Sequence, residues 1–136
     1  MASISDFLKA QSNDYAQALK EIRNGRKETH WIWYIFPQLK ALGRSGTAKF
    51  YGLENLAEAQ AYYDHPILGA RLIEISRALA ELDENDPNAV MGYPDDLKLR
   101  SCMTLFSQLP NADPVFEAVL AKYFNGEGDP QTLALL

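Results

Sequence analysis

The stretch "HPILGARLIEISRALAEL", residues 65–82, decides the fold class. Leu68, Leu72, Ile75, Leu79 and Leu82 recur at steps of three and four, which is one face of a helix and not of a strand. Pro66 stands at the first helical position, where its missing N–H costs nothing, and His65 before it is placed to be the cap. Arg71, Glu74, Arg77 and Glu81 fall at the same spacing on another face and support the helix weakly.

The same signals recur on either side. "YPDDLKLRSCMTLFSQL", residues 93–109, opens with Pro94 and puts Asp95 and Asp96 where the helix dipole is positive. Leu99, Cys102, Phe106 and Leu109 form its apolar stripe. Asp113-Pro114 begins a further helix with Phe116, Val119, Leu120 and Tyr123 facing inward, and Asn125-Gly126 ends it. Asp129-Pro130 opens a last short helix. Upstream, a helix lies near residues 55–63, and the run "LKALGRSGTAKFYGL" (39–53), punctuated by Gly43, Gly46 and Gly52, reads as a loop region. A helix over residues 14–24 is capped by Asn13, stopped by Gly25 and apolar at Tyr15, Ala18, Leu19 and Ile22, while Phe7 and Leu8 sit on a separate short helix. Nowhere do short alternating strands meet at hairpin turns. The expectation is an all-α chain: an irregular, compact array of six to eight helices in a single domain, residues 1–136.

Composition bounds what such a domain does. At 136 residues, 47% hydrophobic and 23% charged, the chain can bury one real core. Its net charge of −5 disfavours extended nucleic acid, which needs a basic face, though a basic pocket fits within an acidic surface. No apolar run is long enough to span a membrane. The start "MASISDFLKAQ" lacks a signal-peptide pattern, and the lone Cys102 excludes an internal disulfide, so a cytoplasmic protein is expected. Two histidines and one cysteine form no zinc-type cluster, so neither a metal nor a cofactor is expected.

The chemistry-bearing candidates centre on "HWIWYIFPQ", residues 30–38, which holds both tryptophans. Its secondary structure is ambiguous, because it is apolar all round; a short helix or 3₁₀ turn begun at Thr29 and closed by Pro37 is the expectation. Trp31, Trp33 and Tyr34 can stack a flat ring, worth about 1–3 kcal/mol per base in single-strand binders. The default for such rings is core, because large aromatics dominate cores, and alternate side chains can divide between core and cleft. His30 can serve as an acid or base, or as a cap, and Gln38 can present its amide to a ligand. "LGRSG" (42–46) can place backbone N–H groups, Arg44 and Ser45 around an anion, or be a plain turn. Lys98, Ser101 and Thr104 share one helical face in the order K-x-x-S, the reverse of the β-lactamase motif. A solvated face explains the lysine; an anion or sugar pocket explains the small hydroxyls.

Five segments carry a resemblance: "AQALKEIRNGRKETHWIWYIFPQL" (16–39), "LGRSG", "EAQAYYDHPILGARL" (58–72), "YPDDLKLRSCMTLF" (93–106) and "YFNGEGDPQTLALL" (123–136). Together they resemble the small bacterial family DUF1810, which implies a mainly helical, compact domain and carries no catalytic residues over. The third segment is also similar in style to the helical NADAR proteins, which act on ADP-ribose-linked compounds. The functional expectation is one cleft lined by His30, Trp31, Trp33, Tyr34 and Gln38, with Arg44, Ser45, Lys98 and Ser101 supplying charge and donors. Its cargo would be flat and anionic, such as a nucleotide or ADP-ribose-like small molecule; if cleavage occurs, His30 or Asp96 is the candidate base. The alternative is a helical interaction module that presents a groove to a partner or forms a homodimer.

Overall fold

A computed structural model describes residues 2–136. Among them are nine α-helices, more than the six to eight expected, and one 3₁₀ turn. The surplus comes from two short helices inside stretches that the sequence presents as loops. In chain order the elements are α1 (Ile4–Arg23), α2 (Ile32–Ile35), the 3₁₀ turn Lys40–Leu42, α3 (Gly46–Tyr51), α4 (Leu56–Asp64), α5 (Pro66–Glu81), α6 (Pro87–Met91), α7 (Asp95–Ser107), α8 (Val115–Phe124) and α9 (Pro130–Ala134).

The two N-terminal helices expected from the sequence are one. Ser3 and Asp6 form a reciprocal capping box that starts α1 ten residues before Asn13. Phe7, Gln11, Tyr15, Ala18 and Ile22 then keep a single buried face running through the polar run 11–14. Gln11 is the buried exception in that run, and its amide donates to the Tyr34 carbonyl (2.8 Å) and the Tyr62 hydroxyl (2.9 Å). The polar group is therefore satisfied and the helix need not break.

The segment 39–53 is also more ordered than a loop. Ser45 caps α3 by accepting from the Ala48 N–H, and Leu39 pairs in parallel with Leu53, whose N–H donates to the Gln38 carbonyl. The pairing brings Gly52 against the turn so closely that a Cβ there would lie 2.4 Å from the Lys40 Cα, so only glycine fits. Gly69 plays the same part between α4 and α5, where a Cβ would sit 1.9 Å from the Tyr63 carbonyl oxygen.

Helix α5 is central, packed by α1, α4 and α8, and α8 packs in turn on α7. The stripe Leu68, Leu72, Ile75 and Leu79 is fully buried, as are Leu99, Cys102 and Phe106 of α7 and Phe116 and Val119 of α8. Each such side chain contributes about 1.5–3 kcal/mol relative to exposure. Rings of Tyr62, Tyr63, Phe106 and Phe116 meet across α4, α7 and α8 at centroid distances of 5.6–6.3 Å. Burial pushes the Cys102 thiol well above its ordinary pKa, which keeps it an inert core group. His65 caps α5 from Nδ1, and Asn125, in the left-handed region at φ 57°, ends α8.

Candidate functional site

The aromatic stretch divides between core and cleft, and most of it goes to the core. Trp31 is 1% exposed. Its indole N–H donates to Glu21 Oε1 at 2.9 Å. The same carboxylate accepts the Glu28 and Thr29 backbone N–H groups (2.7 and 2.9 Å), the Thr29 hydroxyl (2.6 Å) and the Gln17 amide (3.0 Å). Burial pushes the Glu21 carboxyl up, but these hydrogen bonds outweigh it and hold the group at about 2. Tyr34 is buried as well, and its hydroxyl donates to Asp14 on α1. His30 is exposed on the approach to α2, which itself begins at Ile32 rather than Thr29.

The expected cleft wall of His30, Trp31 and Tyr34 is thus corrected. Their side chains do not line the cleft described below, because the indole and phenol tips of Trp31 and Tyr34 are satisfied by α1 carboxylates. Trp33 is half-buried and borders a notch of about 10 Å³, room for one water, together with Gln38, Ala48 and Lys98. The Lys98 ammonium stands 5.8 Å from the Trp33 ring centre.

Gln38, Ala48 and Lys98 also belong to a larger cleft of about 660 Å³ between the 3₁₀–α3 segment, α7 and the start of α9. Of the nine candidates, Gln38, Arg44, Ser45, Lys98 and Ser101 line it. Tyr93, Leu97, Arg100, Asp129 and Gln131 join them, none of which the sequence marks as a site residue. One signal was available. Positions 94, 97, 98 and 101 share a helical face, so Leu97 was bound to accompany Lys98 and Ser101.

The electrostatics of the cleft follow from who is already paired. Lys98 lies 3.8 Å from Asp95 Oδ1, but Asp95 Oδ2 is held by Lys27 at 2.8 Å. Lys27 is itself fixed by the Thr29 carbonyl (2.7 Å) and by the Trp31 ring 4.9 Å away. Asp95 is therefore neutralised from the core side, and most of the Lys98 charge is left to the cleft. Arg100 donates to the Glu127 and Gly128 carbonyls (3.0 and 3.1 Å), which orient the guanidinium, and the exposed Glu127 carboxylate 3.9 Å away offsets its charge only weakly. Arg44 is exposed and forms no ion pair among the described residues. Three cations against the one carboxylate of Asp129 leave the lining formally at +2, on a chain of −5.

The hydroxyls have a structural task. Ser101 Oγ donates to Asp129 Oδ2 (2.9 Å), and Thr104 Oγ1 accepts the Asp129 N–H (2.8 Å). Together with the Thr132 hydroxyl (2.6 Å) they pin the start of α9 onto α7. Burial raises the Asp129 pKa and the bonds from Thr132 and Ser101 lower it, with a net lowering. The expectation that small hydroxyls on α7 exist to meet a ligand is thereby corrected for Ser101 and Thr104, since α9 occupies them. Among the described residues no group of three or more His, Cys, Asp or Glu is placed to hold a metal ion, and no helix is long and apolar enough to cross a membrane.

Comparison with known proteins agrees with this architecture. The crystal structure of the conserved hypothetical protein Rv1873 from Mycobacterium tuberculosis is 44% identical in sequence and superposes with a TM-score of 0.95. The match covers 98% of this chain and 95% of that one. No curated protein matches. The profile described as "Protein of unknown function (DUF1810)" matches residues 1–136, the whole length, and the chain belongs to that family.

Proposed function

We propose that this protein binds a flat, anionic small molecule, of the nucleotide or ADP-ribose type, in the cleft between α3, α7 and α9. One observation carries the reading: an acidic chain gathers Arg44, Lys98 and Arg100 around a single cleft of about 660 Å³. That volume falls in the range of small-molecule sites, roughly 300–1,000 Å³. Guanidinium forks and an ammonium at a concave surface are the groups that recognise phosphate. The Gln38 amide supplies a donor and an acceptor beside them.

The reading stops at binding. The Ser101 hydroxyl is committed to Asp129, and neither His30 nor Asp96 belongs to the cleft lining. We assign the protein to the cytoplasm, where a phosphorylated metabolite is at hand and the buried Cys102 thiol stays reduced.

Titration of the full chain with ADP-ribose and ADP tests this. Lys98 lies beside Trp33, so tryptophan fluorescence is expected to change on binding. Melting temperature should rise, since a ligand at 100 times its Kd adds about 2.7 kcal/mol. Arg44→Glu and Lys98→Glu should each weaken binding at least ten-fold without unfolding the chain. Unchanged affinity in both variants would remove the cleft from consideration. A second reading has its own support: Tyr93 and Leu97, 75% and 48% exposed, give the cleft rim an apolar side suited to a partner helix or a second copy. It predicts concentration-dependent mass by light scattering and no response to nucleotides.

A further inference from the structure

Six of the seven tyrosines have an evident place among the described residues. Tyr15, Tyr34, Tyr51, Tyr62, Tyr63 and Tyr123 each pack on another ring or a cation, or hydrogen-bond across the fold. Tyr93 does none of these. It is the most exposed of the large hydrophobic residues, at 75%, and it stands on the lining of the cationic cleft beside Pro94 and Leu97. An aromatic side chain gains chiefly from burial, and a ring 75% exposed next to a binding cleft gains little of it.

Its position relative to the charges sets a direction. Tyr93 directly precedes Pro94, the cap of α7, while Lys98 is one turn into the helix. Both side chains line the same cleft. Arg44 stands on the α3 side of the same cleft.

We infer that Tyr93 is the stacking platform of the cleft: the flat ring of the ligand lies on Tyr93 against Leu97, and its phosphates lie between Arg44 and Lys98. Tyr93 thereby makes the site prefer base-bearing phosphates over bare ones. The inference rests on the cleft binding an anionic small molecule, as proposed above, and adds which residue reads the ring. Of the three rings the sequence offers for this task, Trp31 and Tyr34 are buried in the core and Trp33 borders only the small notch beside Lys98, so Tyr93 takes it over.

Calorimetry on the full chain separates the two claims, with ADP and inorganic pyrophosphate as probes. Tyr93→Ala is expected to weaken ADP roughly 10- to 100-fold, the effect of losing one stacked base, and to leave pyrophosphate within about two-fold. Tyr93→Phe should keep the ADP affinity, because the ring and not the hydroxyl does the stacking. Equal affinity of Tyr93→Ala and wild type for ADP overturns the inference while the cleft reading stands. Equal weakening of both probes overturns it too, since the ring would then act on the phosphates or on the cleft's shape. A Tyr93→Ala variant that binds ADP normally but loses self-association assigns the ring to a contact between copies. A wild-type chain that binds neither probe ends both claims.

Discussion

Two regions of this molecule put aromatic rings beside charged groups, and they use them oppositely. Where α2 meets α1, Trp31 and Tyr34 point their polar tips at Glu21 and Asp14, and the Tyr34 carbonyl receives Gln11. No buried side-chain nitrogen or oxygen among the described residues lacks a partner. In the α3–α7–α9 cleft, Tyr93 is in water and Arg44 has no carboxylate beside it. Whether an aromatic residue is wall or core is thus decided by whether the protein itself completes its hydrogen bonds and its apolar contacts. Residue type alone does not decide it, which is why the tryptophan-rich segment is a poor guide to the site.

The largest effect that sharpens this contrast is expected within one short segment. Trp31→Ala should cost about 3–5 kcal/mol, from a large cavity and the loss of a donor to Glu21. Trp33→Ala, at a half-buried ring, should cost well under half of that. Urea denaturation of the two variants reads both values. Equal costs would mean that Trp33 is as much core as its neighbour, and the division of the segment would fail.

Lys27 joins the two regions, and its removal tests the join. Its side chain is 6% exposed, and it neutralises Asp95 at the cap end of the cleft helix. Lys27→Met should destabilise the chain by about 3 kcal/mol, the low end for breaking a buried pair, because Lys98 can turn toward Asp95 in compensation. That compensation takes positive charge out of the cleft, so ADP affinity should fall several-fold as well. Stability loss with intact affinity would show that Lys98 does not owe its free charge to Lys27.

How much of this was legible in the sequence differs between fold and site. Helix α5 was legible because Pro66, His65 and an unbroken stripe are all local signals. The end of α8 was legible because Asn125 and Gly126 tolerate positive φ. Helix α1 reads as two because Gln11 to Asp14 looks like a boundary, and Gln11 is satisfied by partners distant in sequence, Tyr34, Tyr62 and Arg71. Helix α6 went unread although Asp86-Pro87 repeats the Asp129-Pro130 signal that announced α9. In the cleft, Lys98 and Ser101 could be joined by helical spacing alone. Arg44 reaches them only because Leu39 pairs with Leu53, a contact no local pattern encodes. Tyr93 was invisible, since its distinguishing property is exposure.

The smallest of the expected effects is the pH dependence that Glu21 gives the core side. Glu21 has a folded pKa of about 2 against an ordinary 4.5. A depressed carboxyl contributes stability that is fully present above the unfolded value and is lost as pH falls through the folded one. Wild type should therefore lose stability between pH 4.5 and about 2 as Glu21 takes up its proton. Glu21→Gln cannot accept from all five donors, and should cost about 2 kcal/mol at pH 7. It has no proton to gain in that window, so the gap between variant and wild type should narrow toward pH 2, measured by urea unfolding at both ends. A gap that stays constant across the window would mean that the shape of residue 21 matters and its charge does not. The α2 segment would then be held by packing around Trp31, and its likeness to the cleft, where charge is the asset, would disappear.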